Sequence, residues 1–231
     1  MFRIAVALLV LAAARSASAQ VLILDEGTFT HSVSGTRVGR EDFSVRTVRG
    51  GGAVYIAQAN VLAGENRRTI ALTADSAGAP LRFQLEAREA TTIVSTVVGE
   101  RERSTWLGRV VAGARESGRE FRLADRTFIA EPSVAHHLWF VLRFGQGRPV
   151  VLLTPSANAQ DTVQLVEGAA DTVTVGARRI AARRWELRDA QDGSLLWEFW
   201  ADAAGRLLRA RDPRSGLDAM RDDPPGETPG R

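Results

Sequence analysis

Apolar and polar residues alternate with period two through most of this chain, and glycine, serine and aspartate break the alternation at short intervals. Between Pro80 and Arg88, Leu81, Phe83, Leu85 and Ala87 alternate with Arg82, Gln84, Glu86 and Arg88. One apolar face and one charged face are what a half-buried antiparallel strand needs. Weaker alternation predicts strands at Asp42 to Val48, Val54 to Val61, Thr69 to Thr73 and Arg184 to Arg188, with Leu195, Trp197 and Phe199 continuing the series. Turn signals separate these runs at Ser34-Gly35, Ala63-Gly64, Asp75 to Gly78, Ala112-Gly113, Glu167-Gly168 and Asp192-Gly193. Asp-Gly readily takes the positive φ of a tight hairpin turn, so Asp192-Gly193 joins the Trp185 strand to the Trp197 strand. The pattern predicts a mainly β protein: a long antiparallel meander of about ten to twelve strands, most paired with their sequence neighbours.

One segment departs from this period. Ser133 to Phe144 places Val134, Leu138, Val141 and Leu142 at helical spacing, with Ser133 as N-cap and Gly145 as the stop. It predicts one short helix, about 133–144, packed on the sheet. His136 and His137 then form a pair at the helix start, one exposed and the other touching the sheet.

The ends have their own character. Arg3, an apolar run from Ile4 to Ala14, and Ala17-Ser18-Ala19 together read as a signal peptide over residues 1–19, too short to span a bilayer as a retained helix. No Cys follows that would carry a lipid anchor, and no later segment has membrane length. The expected product is periplasmic or secreted, with a single antiparallel β domain over residues 20–211. The Pro-, Gly- and charge-rich stretch 212–231 reads as a disordered tail.

Composition narrows the chemistry. With no Cys there is no disulfide framework and no thiolate metal site. Cleavage after Ala19 removes Arg3 and Arg15 from the 30 basic residues and none of the 27 acids, leaving a net charge of about +1. A chain this close to neutral has no global field for nucleic acid. Of the three His, two are adjacent and point roughly 100° apart on a helix, so they do not clamp one ion together. No G-x-S-x-G elbow or phosphate-binding loop occurs, and Ser133 beside His136 is explained by capping. Arg178, Arg179, Arg183, Arg184 and Arg188 could meet an anionic headgroup, but Glu186 and Asp189 interleave with them as on a solvated sheet face. The reading is therefore non-enzymatic, with no cofactor and no metal.

The aromatics are the candidate ligand contacts: Trp106, Trp139, Phe140, Trp197 and Trp200. Trp197 and Trp200 are three residues apart and so face opposite sides of one strand. The Trp on the second face is either covered by the helix or lines a cavity.

Gly27-Thr28-Phe29-Thr30, Gly35-Thr36-Arg37-Val38-Gly39 and Phe43-Ser44-Val45 resemble the opening of uncharacterised exported bacterial families. The stretch Trp197-Glu198-Phe199-Trp200-Ala201-Asp202 with Gly205-Arg206-Leu207-Leu208-Arg209 is similar to their closing hairpin. Those families resemble the lipoprotein-localisation (LolA/LolB-like) and putative glycolipid-binding proteins. The resemblance implies a curved sheet or open half-barrel whose concave face carries an apolar or amphipathic ligand, such as a lipid, glycolipid or acylated partner. The alternative is a structural or protein-interaction module of the cell envelope.

Overall fold

A computed structural model describes residues 20–49 and 54–226; the predicted signal peptide lies outside the described residues. Strands β1 (Gln20–Val33), β2 (Thr36–Arg49), β3 (Val54–Ala63), β4 (Asn66–Ala74), β5 (Pro80–Glu89), β6 (Thr92–Glu102), β7 (Thr105–Ala112) and β8 (Arg115–Arg122) form one unbroken antiparallel meander. The chain then starts again at the far side of the same sheet with β9 (Thr127–Ile129), α1 (Leu138–Phe144) and β10 (Val150–Thr154), which pairs parallel to β9. A second meander returns through β11 (Ala159–Val175), β12 (Arg178–Asp189), β13 (Leu195–Ala201), β14 (Leu207–Asp212) and β15 (Leu217–Arg221). β15 pairs with β1 and merges the halves into a single 15-stranded sheet.

This order forces curvature. Laid flat, the outermost strands β8 and β9 would stand about 65 Å apart at the usual strand spacing. Yet they are joined by residues 123–126 alone, which span at most about 18 Å. The sheet therefore rolls until its ends approach. A side chain bridges the seam where no ladder does: Arg119 Nη1 donates to the Asn158 carbonyl at 2.9 Å, while inside the roll Arg68 Nη1 on β4 donates to the Pro132 carbonyl at 2.9 Å.

The concave face holds the core. Every strand except β8 contributes a buried apolar residue to one continuous cluster, and α1 sits among them with Leu138, Trp139, Phe140, Val141 and Leu142 all buried. Tyr55 packs its ring against Trp139, Phe140 and Phe144. The first five residues of α1 are apolar on every side and enclosed, and only its last turn, with Arg143, reaches the surface.

Several expectations change here. There are more strands than ten to twelve, because β8 is exposed on nearly every residue, β9 is three residues long and buried throughout, and β15 lies in a stretch whose composition resembles linker. The helix is shorter than 133–144: Ser133 has φ +58°, and hydrogen-bonded turns occupy 131–137 before α1 begins. The stretch 212–231 is not simply a disordered tail, since Leu217–Arg221 is a central strand; residues 227–231 of that stretch lie outside the described residues. Backbone pairing to β1 and β14 orders the strand, and composition cannot report pairing. Asp192-Gly193 does close the β12–β13 hairpin, but through a wider loop in which the Asp189 carboxylate accepts the Gln191 N–H at 2.7 Å.

Glu167-Gly168 is not a turn but a bulge inside β11. One extra residue there reverses which face points inward. Val163 and Leu165 join the concave core, whereas Val173 and Val175, beyond the bulge, join a second cluster with Ala182, Trp200 and Leu208. The long β11–β12 hairpin thus folds its outer half over the convex face of β13 and β14.

Candidate functional site

The five aromatic candidates do not form one site. Trp106 is fully buried on β7, its indole lying where Gly99 has no side chain: a Cβ at Gly99 would stand 2.1 Å from Trp106 Cζ2. Phe140 and Trp197 are closed into the same core. Trp200 faces the convex side, as its spacing from Trp197 predicts; its Nε1–H donates to Asp171 Oδ2 at 2.7 Å, and Arg209 lies over its ring. Five surface clefts have volumes between about 270 and 470 Å³, and none is lined by Trp106, Phe140, Trp197 or Trp200. Trp139 alone reaches one, a cleft of about 330 Å³ shared with Leu142, Arg143, Arg183 and Trp185 where α1 ends at the surface. Arg143 is exposed there and makes no hydrogen bond or ion pair to a described residue.

The polar chemistry is buried elsewhere. All three histidines gather around Glu41, which shares the inward face of β2 with Phe43, Val45 and Thr47. Its carboxylate accepts the backbone N–H groups of Ala135 at 2.8 Å and His136 at 2.9 Å, and its Oε1 lies 2.7 Å from His136 Nδ1. His31 Nε2 stands 3.4 Å from the other oxygen. Burial pushes the Glu41 carboxyl up, but the bonds and charges of His136 and His31 outweigh it and hold the group well below the usual carboxylate range.

The expectation of one exposed histidine therefore fails, since both His136 and His137 are wholly buried. The turns at 131–137 dive into the core ahead of α1, where a helix starting at 133 would have left one ring outside. His137 Nδ1 accepts the Glu131 N–H at 3.2 Å, and burial holds its imidazole neutral, well below its ordinary value. Glu131 in turn accepts the Ser156 hydroxyl and N–H, while burial raises its carboxyl. Together these groups pin the 131–137 segment to β2 and to the turn after β10. Among the described residues no three His, Asp or Glu side chains converge to hold a metal ion. The signal for this cluster was present in the sequence: Glu41 and His31 occupy positions that period two assigns to the apolar face.

Three of the five arginines of the cluster, Arg183, Arg184 and Arg188, are tied into ion pairs. Arg183 meets Glu167 at 3.0 Å, Arg184 meets Glu198 at 2.9 Å and Arg188 meets Glu186 at 2.6 Å. Among the described residues, no helix is long and apolar enough to cross a membrane.

No protein-family model matches this chain, and no curated protein does. Its fold is similar to a solved structure, a β-barrel-like protein of domain of unknown function DUF1849 from Brucella abortus. The TM-score is 0.53, with 11% sequence identity over 89% of this chain and 98% of that one. At that identity the likeness is one of fold alone, a barrel-like β-sheet architecture.

Proposed function

We infer that this chain is an exported, non-enzymatic interaction module of the bacterial envelope, whose rolled sheet presents a surface instead of enclosing a ligand. One contrast carries the reading. The concave face is filled by α1 and inward side chains, while Val21, Leu22 and Ile23 stay exposed in succession on β1 at 57%, 38% and 46%. Water-facing apolar residues scattered singly need no explanation; a contiguous strip beside a cleft marks a contact surface. Export rests on the residue 1–19 pattern. A structural role for the histidine cluster rests on its complete burial and on its bonds to the backbone it anchors. The test is sedimentation of the mature chain in a detergent-free envelope extract, beside a Val21→Glu/Ile23→Glu variant. A heavier species formed by the wild type alone supports the reading, and identical sedimentation overturns it.

A second reading keeps the amphipathic ligand and moves it to the surface. The cleft where α1 ends sets Trp139 and Trp185 beside Arg143, an apolar bed with a cation at its rim that suits a fatty acid or an anionic glycolipid. Native mass spectrometry should then show a lipid-sized adduct that disappears in Arg143→Ala. A bare protein mass, with tryptophan fluorescence unmoved by oleate, would remove this reading.

A further inference from the structure

β1 is zipped to β2 from Gln20 to Val33, but β15 reaches only residues 29–33 on its other side. Beyond Arg221 the β15 strand stops, and one further backbone bond, from the Asp222 N–H to the Thr28 carbonyl at 2.9 Å, extends the contact. The Arg221 guanidinium takes over from there. It donates to the Glu26 carbonyl, to the Leu207 carbonyl at 3.1 Å and to Asp25 Oδ1 at 2.9 Å. Past it, among the described residues, no backbone group bonds to residues 20–25 from that side.

A slot of about 420 Å³ opens there, walled by residues 21–26 on one side and by Arg206, Pro225 and Gly226 on the other. Strand alternation places Val21 and Ile23 on the face opposite Leu22, so the free stretch is apolar on both faces. At the inner end Asp25 Oδ2 is buried and accepts no hydrogen bond.

The true sheet edge looks different. β8 carries Arg115, Glu116, Arg119, Glu120 and Arg122, the charged dressing of an edge kept from pairing. The free stretch of β1 has no such protection, and its unbonded N–H and C=O groups are the chemistry that an extended backbone satisfies.

We propose that the slot between β1 and the start of β14 is a strand-addition site, which takes an extended, uncharged apolar segment of another polypeptide paired to residues 20–25. The second wall selects the occupant. The far wall of Arg206, Pro225 and Gly226 faces β1 across the slot, so the β1 edge of a second copy would bring its own β2 into that wall, and a single extended segment would not. Apolar side chains of the guest meet Leu22 on one face and Val21 and Ile23 on the other, and the buried Arg221–Asp25 pair closes the inner end.

This rests on the reading of the β1 strip as a contact surface. Its test uses the mature chain and a fluorescent, end-blocked peptide of five valines flanked by serines, beside the same peptide N-methylated at alternate amides. Anisotropy should show saturable binding, weakened at least tenfold both by N-methylation and by Ile23→Glu. Hydrogen exchange should slow at residues 20–26. No binding at millimolar peptide, equal binding of the N-methylated form, or protection elsewhere overturns strand addition. If the envelope-extract complex still depends on Val21 and Ile23 while the peptide fails, the contact surface stands and only the strand mode is lost. If neither depends on them, both fail. Concentration-dependent dimers abolished by Ile23→Glu would overturn the single-strand guest.

Discussion

The two flanks of β1 differ sharply. Against β2 the strand is paired along its whole length, and its inward residues Phe29 and His31 disappear into a filled interior. Against β15 it is paired for five residues, and a buried Arg221–Asp25 ion pair seals the point where pairing ends. The filled flank spends its polar groups on internal bonds, as the Glu41 cluster does. The open flank leaves backbone groups and apolar side chains for something outside. On the proposed reading interior residues set stability and slot residues set contact, and substitutions should separate the two.

The largest effect should come from Glu41→Ala. It strands two buried backbone N–H groups and the His136 ring, and should cost about 3–5 kcal/mol in urea unfolding. Next is Gly99→Val, which drives a side chain into the Trp106 indole and should cost about 1–3 kcal/mol. A loss below 0.5 kcal/mol would show that the interior is looser than its packing implies.

Acid should act on the filled flank too. The His137 imidazole is held neutral in the fold, so the unfolded chain takes the proton first once pH drops below its ordinary value. Protons then favour the unfolded state, and stability should fall by up to about 1.4 kcal/mol per pH unit below pH ~6.5. Glu41, held low, adds a loss of the same sign below the ordinary carboxylate range. Glu131 and Asp25, raised by burial, act oppositely, losing stability as pH rises through the carboxylate range. A His137→Phe variant should flatten the slope between pH 6.5 and 5, and an unchanged slope would assign it to other groups. The smallest effect on stability should be Ile23→Glu, within about 0.5 kcal/mol because the side chain is already half in water. The same change should weaken peptide binding at the proposed slot at least tenfold.

Much of the architecture was legible in the residues. Period two located β2 to β5 and the β12–β13 hairpin because each has one wet and one dry face. It failed at β8, which is wet on both faces, and at β9, where Thr127, Phe128 and Ile129 are all buried. It also failed at β15, a five-residue strand inside a stretch whose composition resembles linker. The Trp197/Trp200 divergence was readable from spacing alone. What filled each face was not, because that depends on where α1 and the far half of the β11–β12 hairpin come to rest.

The sequence by itself determined a β meander, most of its turns and a single helix, and its period-two pattern contains, though the expectations drawn from it did not include it, the placing of Glu41 on the face of Phe43 and Val45. These are local consequences of alternation, turn chemistry and side-chain volume. Only the tertiary structure decided that the sheet rolls, that the helix occupies the concavity and that the polar residues find one another there. It also decided that β15 ends one strand-half short of covering β1. Those outcomes join residues as far apart as Asp25 and Arg221, or Glu41 and His136, and no short-range pattern records a contact made across the whole chain.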